Sequence, residues 1–257
     1  MKFGIANLSI IPVRKEPKEQ SEMTTQILFG ETFKITKKLK NWCYIVIDND
    51  NYEGWIDKKL CNQISEETYV KHTKDNPVIV PDMISAVHQE DSKLPNFICA
   101  GSELPFFNKT DKSFLLGNKK YFLLNDLEHN KKLTIKEIAY QFLNSPYLWG
   151  GKTNFGIDCS GFTQTVFKIN GKKIPRDASQ QVKQGSTLNF MTEAKLGDLA
   201  FFDNDDGNII HVGIILNNKK IIHASGKVRI DNIDFNGIFN NDTKTYTHKL
   251  RVIKRVI

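Results

Sequence analysis

The spacing of apolar residues changes character along this chain. Up to about residue 62 it runs in short strand-length blocks. Residues 1–10, residues 32–36, Trp42–Ile47 and Gly54-Trp55-Ile56 are separated by turn residues such as Asp48-Asn49-Asp50-Asn51. This pattern predicts a small all-β barrel or sandwich over residues 1–62. A second block with short apolar runs at Val78-Ile79-Val80, Ala86-Val87 and Phe114-Leu115-Leu116 spans residues 69–127, punctuated by Pro81, Pro95, Gly101 and Gly117. Between the two, Ser65-Glu66-Glu67-Thr68 suits a connector or short helix.

From residue 133 the rhythm becomes helical. Ile135, Ile138, Ala139 and Phe142 fall on one face, and Thr134 with Glu137 makes a capping box, so residues 133–143 are predicted to form a helix opening a third domain at 132–257. A second stripe, Phe162, Val166 and Ile169, places an amphipathic helix starting at Cys159, with Asp158 as its N-cap. Pro175-Arg176-Asp177-Ala178 is a loop leading into a further helix, and Gly197-Asp198 is a turn before the buried strand Leu199-Ala200-Phe201-Phe202. Residues 209–216 and 220–224 are apolar runs joined around Asn217-Asn218, the pattern of a hairpin.

Candidate chemistry sits in that last third. A thiol at a helix start meets the positive end of the helix dipole, which favours the thiolate and makes Cys159 a candidate nucleophile; the Asp158 charge opposes this unless capping absorbs it. Gly161 leaves room for a substrate backbone or a neighbouring element to come close. His211 then serves as general base and His223 as the group orienting it. This requires the two histidines on one face of the hairpin. A three-residue loop achieves it, and a two-residue loop separates them, because side chains alternate with period two.

In order and content, Tyr147-Leu148-Trp149-Gly150-Gly151, Asp158-Cys159-Ser160-Gly161-Phe162, His211-Val212-Gly213 and Ile222-His223-Ala224 resemble the NlpC/P60 cysteine peptidases, which cut bacterial cell-wall peptides. The likeness runs from about Thr134 to the C-terminus. Residues 14–31, Trp42 and Gly54-Trp55-Ile56 resemble the bacterial SH3-like domains fused to such peptidases. The resemblance implies an α+β architecture: a papain-like catalytic domain preceded by two small all-β SH3-like barrels, the second more divergent. It implies a substrate-binding set of Tyr147, Trp149, Ser160 and Asp177. Tyr147 would offer its hydroxyl to the oxyanion, and Asp177 would bind the N-terminal amine of a free peptide. Asp177 also suits a plain N-cap role. Glu22, Tyr52 and Glu53 are the N-terminal candidates for closing one end of the cleft. The activity implied is hydrolysis of the γ-D-glutamyl to diamino acid bond in murein peptides. An amidase or acyltransferase on the same fold, or a wall-binding SH3-like module, stands as the alternative, because a Cys-His site alone does not fix the acyl acceptor.

Composition narrows the setting. The 257 residues carry 40% hydrophobic and 25% charged residues, ordinary values for a soluble protein. The net charge of +7 comes from 36 Lys and Arg interspersed with 29 acidic residues, with no basic block, so solvated surface is expected rather than a nucleic-acid site. No run is long enough to span a membrane, and the N-terminus has no export signal. Cys43, Cys61, Cys99 and Cys159 show no metal or redox spacing, and a free nucleophilic thiol suits a reducing cytoplasm. No metal or organic cofactor is called for. The expected partner is a murein peptide.

Overall fold

The computed structural model describes residues 2–92, 94–127 and 133–256. Met1, Lys132 and Ile257, which bound the expected domains, lie outside them. The chain divides into two compact units, 1–131 and 132–257.

In the first unit seven strands, β1 (Lys2–Ile5), β2 (Ile10–Arg14), β3 (Met23–Leu28), β4 (Thr32–Lys38), β5 (Trp42–Ile47), β6 (Glu53–Asp57) and β7 (Gln63–Ile64), form one sheet in the order β3-β2-β6-β5-β4-β1-β7. Alternate positions along these strands, among them Ile11, Val13, Phe33, Ile35, Ile45 and Ile47, pack into one core. Cys61 lies against Cys43, and both thiols are free. Helix α1 (Glu66–Lys74), capped by Ser65, follows. It takes in Tyr69, so the helix suggested at Ser65 runs on and the next β-structure starts only at β8 (Val78–Ile79). Strands β9 (Ile84–Gln89), β10 (Asn96–Cys99), β11 (Glu103–Leu104), β12 (Ser113–Leu116) and β13 (Lys119–Leu123) complete it, as a four-stranded sheet β10-β9-β13-β12 and the pair β11-β8. Its core takes in Ile5 and Phe29 from the first block, so the two blocks share an interior.

The second unit opens with α2 (Ile135–Gln141), whose capping box between Thr134 and Glu137 is formed as expected. The short pair β14 (Lys152–Thr153) and β15 (Gly156–Ile157) leads into α3 (Cys159–Ile169). After α4 (Ala178–Gln181) come β16 (Ser186–Leu188), β17 (Leu199–Asp203), β18 (Ile209–Asn217), β19 (Lys220–Ser225), β20 (Lys227–Asp234), β21 (Gly237–Asn240) and β22 (Thr245–Arg255). Strands β22-β17-β18-β19-β20-β21 close into a six-stranded barrel through the pairing of β21 with β22, and β16 extends it beyond β22. Ala200, Phe202, Ile215, Ile221 and Ile233 belong to one cluster of its buried side chains.

Helix α3 departs from expectation. It is buried on every side from Cys159 to Lys168 rather than along one stripe. Two of its buried polar side chains bond inside the unit: Thr163 Oγ1 donates to Gln181 Oε1 at 2.8 Å, and Gln164 Nε2 to the Ile174 carbonyl at 3.1 Å. A helix buried all round holds its first residue more rigidly than a surface helix, and Cys159 is that residue.

Candidate active site

Three elements converge on the Cys159 thiol. Asp158 caps α3, its Oδ1 accepting the Gly161 N–H at 2.6 Å, while Oδ2 accepts the Gly150 N–H at 2.8 Å. A Cβ on Gly161 would lie 2.3 Å from the Gly151 carbonyl oxygen, so the space this glycine leaves is filled by the preceding loop. The Asp158 charge is also taken up by Arg176, 1% exposed, which donates to both carboxylate oxygens, at 3.0 Å from Nη1 and 2.6 Å from Nη2. Arg176 Nη1 donates as well to Ser160 Oγ at 2.9 Å. Ser160, expected against substrate, is thus bound into this buried ion pair. An arginine beside a proline in a loop has no sequence feature that marks it as buried. Asp158, two residues after Gly156 at the end of a glycine-rich approach, was the available hint.

Burial and then the Asp158 charge push the Cys159 thiol up to about 12, although the N–H groups of Val212 and Ser160 and the Arg176 charge act the other way. The lowered thiol expected from the helix dipole is therefore overturned: Cys159 is only 6% exposed, and burial outweighs the helix start. The Val212 contact sets the thiol beside β18, next to His211.

His211 and His223 stand on one face of the β18–β19 hairpin. Their register, Gly213 opposite His223, is that of a three-residue loop, but it is built differently. Asn217 pairs with Lys220 across a two-residue turn, and a bulge at Leu216 supplies the odd residue. A Cβ on Gly213 would lie 2.8 Å from that of His223, so glycine is required to seat the ring.

His211 Nε2 meets His223 Nδ1 at 2.8 Å, and His223 Nε2 meets Asp231 Oδ2 at 3.0 Å. The carboxylate accepts, so His223 carries its proton on Nε2, its Nδ1 accepts from His211 Nε2–H, and His211 keeps the lone pair on Nδ1. Asp231 is 1% exposed and is clamped by Arg229, whose Nε and Nη2 donate to it at 2.7 and 2.9 Å. Burial opposes its ionisation, but the hydrogen bonds from His223 and Arg229 win and hold the carboxyl below its usual range. Sequence reasoning missed Asp231. It also missed His248, whose ring stacks on His211 at 4.1 Å between centroids. Among the described residues, no group of three or more His, Cys, Asp or Glu side chains is arranged to hold a metal ion.

Burial, reinforced by the charges of His223 and His248, holds His211 well below the ordinary 6.5. Both shifts favour the uncharged forms, a thiol on Cys159 and an imidazole on His211. Protonating His211 removes the base, and its depressed pKa moves that loss to lower pH. The acid limb of kcat/KM is therefore expected below pH 6.5, measurable as a pH–rate profile of the free enzyme. A limb at or above 6.5 contradicts the burial of this ring.

Tyr147 is pushed up to about 12 by burial and by the Cys159 and Asp158 charges, so its hydroxyl stays a donor close to the sulfur. Trp149 is 59% exposed, which rules out a core role and leaves its indole on the rim. Asp177 is half-buried at the N-cap of α4, its N–H donating to Gln180 Oε1 at 3.5 Å. Glu22, Tyr52 and Glu53 all lie in the N-terminal unit. There Glu22 pairs with Lys15 at 3.3 Å, the Tyr52 N–H donates to Asp50, and Glu53 accepts from the Tyr44 hydroxyl at 3.2 Å.

The chain is similar to known proteins in both sequence and fold. A family model described as NlpC/P60 family matches residues 144–248, and one described as bacterial dipeptidyl-peptidase SH3 domain matches residues 13–59. The chain is similar to the gamma-D-glutamyl-L-lysine dipeptidyl-peptidase of Bacillus subtilis, 30% identical over 217 residues, covering 78% of this chain and 71% of that protein. A protein of the same name from Bacillus cereus is 26% identical over 228 residues, covering 79% and 68%. The fold matches the crystal structure of an NlpC/P60 family protein from Bacillus cereus with a TM-score of 0.80 and 21% identity, over 99% of each chain.

Proposed function

Because the chain belongs to the NlpC/P60 family, we propose that it is a thiol peptidase cutting the γ-D-glutamyl to diamino acid bond of peptidoglycan-derived peptides. The carrying observation is the similarity to the Bacillus subtilis dipeptidyl-peptidase, which extends over both units and most of that protein. In this reading the N-terminal unit is an SH3-like barrel followed by a second, divergent one.

The chemistry follows from the residues. His211 Nδ1 takes the Cys159 proton as the sulfur attacks the γ-carbonyl carbon, giving a tetrahedral oxyanion. The Tyr147 hydroxyl donates to that oxyanion. His211 returns the proton to the amine of the diamino acid, the C–N bond breaks, and a thioester remains. Water, deprotonated by His211, then attacks the thioester and frees the carboxylate and the thiol. The bond from Nε2 to His223 keeps Nδ1 as the atom that takes and returns the proton.

Asp177 gives the reading its substrate end. A carboxylate held half-buried attracts the cationic amine of a free L-Ala terminus by roughly 1.5–3 kcal/mol. The cut then releases L-Ala-γ-D-Glu, a product that suits murein peptide recycling by a cytoplasmic enzyme. None of the described helices is long and apolar enough to cross a membrane.

The test is product analysis on L-Ala-γ-D-Glu-L-Lys by mass spectrometry, with intact sacculi and the N-acetylated tripeptide alongside. Release of L-Ala-γ-D-Glu and lysine is expected. Acetylation should lower kcat/KM by roughly 10- to 100-fold in the wild type and add little to the loss in Asp177→Asn. Equal cutting of acetylated or wall-linked stems rules out amine recognition. Acyl transfer to an added amine without hydrolysis, or binding to sacculi with no turnover, rules out the peptidase.

A further inference from the structure

A groove of about 580 Å³ opens beside the catalytic pair, lined by Asp203, Asp205, Ile210, Tyr246, His248 and Lys249 among others. Its link to His211 is His248, whose ring stacks on that residue.

Asp203 is the unusual member. Its side chain is only 5% exposed. Oδ2 faces Arg251 Nε at 3.7 Å, too long for a hydrogen bond, and Oδ1 has no hydrogen-bond partner among the described residues. A buried carboxylate oxygen without a donor is costly, and such groups persist in native structures for a reason. Two bulges aim it. The ladder slips between Phe202 and Asp203 on the β18 side and between Phe201 and Phe202 on the β22 side, so Asp203 stands opposite Ile209 and Lys249. Bulges of this kind re-aim side chains next to active sites.

The reaction says what the groove receives. The imidazole that accepts the thiol proton hands it to the departing amine, so the amino acid carrying that amine lies over His211. Its side chain and carboxylate then run into the adjoining surface. That surface offers two carboxylates, Asp203 and Asp205, and one ammonium, Lys249. Resting on the peptidase reading above, we propose that this groove is the leaving-group subsite: Asp203, assisted by Asp205, takes the side-chain ammonium of the diamino acid, and Lys249 takes its carboxylate. Arg251, 65% exposed, swings aside as the ammonium arrives. The charge pattern selects a residue with a distal cation and disfavours an apolar one of equal length.

The experiment compares L-Ala-γ-D-Glu-L-Lys with the same peptide carrying L-norleucine, which lacks only the terminal amine. The wild type is expected to favour lysine by roughly 10- to 100-fold in kcat/KM, the worth of one charge-assisted hydrogen bond. In Asp203→Asn that ratio should fall to within about threefold of one, and in Asp205→Asn it should fall part of the way. A ratio that stays at its wild-type value in Asp203→Asn, with both peptides slowed alike, means that Asp203 is structural and overturns the proposal. Calorimetric titration with free L-lysine and L-norleucine separates this outcome from failure of the peptidase reading. Lysine-selective binding that is lost in Asp203→Asn upholds the subsite even if neither peptide is cut. No binding preference together with no kinetic preference ends it.

Discussion

Cys159→Ala is expected to abolish peptide cleavage, by about 10⁴-fold or more, while the protein keeps its fold. The sulfur is the atom that bonds to the substrate carbonyl, and no neighbouring group replaces it. The structural cost is small. One sulfur atom leaves the start of a helix whose cap, Asp158, stays bound to Gly150, Gly161 and Arg176. Cys43, Cys61 and Cys99 sit in the N-terminal unit, and burial pushes the Cys61 thiol up to about 12 and the Cys99 thiol up to about 11. Alanine at each should spare most of the activity and cost stability instead, on the order of 1–3 kcal/mol where the thiol is buried. Initial rates paired with thermal melts of the four variants decide this. A Cys159→Ala protein that still turns over, or a Cys99→Ala protein that is folded and dead, assigns the nucleophile elsewhere.

The line from His211 to Asp231 should show a graded loss. His211→Ala removes both the base and the acid of the reaction, a loss on the order of 10³–10⁴. His223→Gln keeps an oxygen that can accept from His211 Nε2–H, so it should retain partial activity. Asp231→Asn is the informative substitution. An asparagine amide can donate to His223 Nε2, which then lets His223 carry its proton on Nδ1 and face His211 with a donor instead of an acceptor. The expected loss lies between the other two and falls on kcat rather than KM, because no substrate atom touches Asp231. Steady-state kinetics of the three variants checks the order. Equal loss in His223→Gln and His211→Ala means that His223 does more than orient its neighbour.

What the chain's letters revealed depended on how local each feature is. The start of α3 was legible because a cap, a helical stripe and a glycine all lie within a few residues of Cys159. The two histidines were legible as a pair on a hairpin, and even the need for an odd loop followed from the period of a strand. How that oddness is built, through Leu216, depends on which carbonyls pair across the ladder, and no spacing encodes that. Asp231 was hidden for the same reason: it reaches His223 only once β20 has paired with β19, Asp231 beside Ile221. Arg176 was read as loop because its burial follows from Asp158, eighteen positions earlier, which needs a cation there. The core of the second β-block takes in Ile5 and Phe29 from far upstream, a pairing that no spacing within residues 69–127 encodes.

The bulge at Leu216 makes the length of this hairpin a counted quantity. A two-residue turn is the most economical way to join β18 and β19, and with an unbroken ladder it would bring Ile214 opposite His223 and turn the imidazole to the other side of the sheet. Losing Leu216 itself would straighten the ladder and keep Gly213 opposite His223, because the bulged residue is the one without a partner. Losing a paired residue while the bulge stays would shift the register by one and turn the rings to opposite sides, although the barrel would still close. The bulge thus acts as slack in the hairpin, and a variant that uses it wrongly would pass every measure of folding and fail only when offered a substrate.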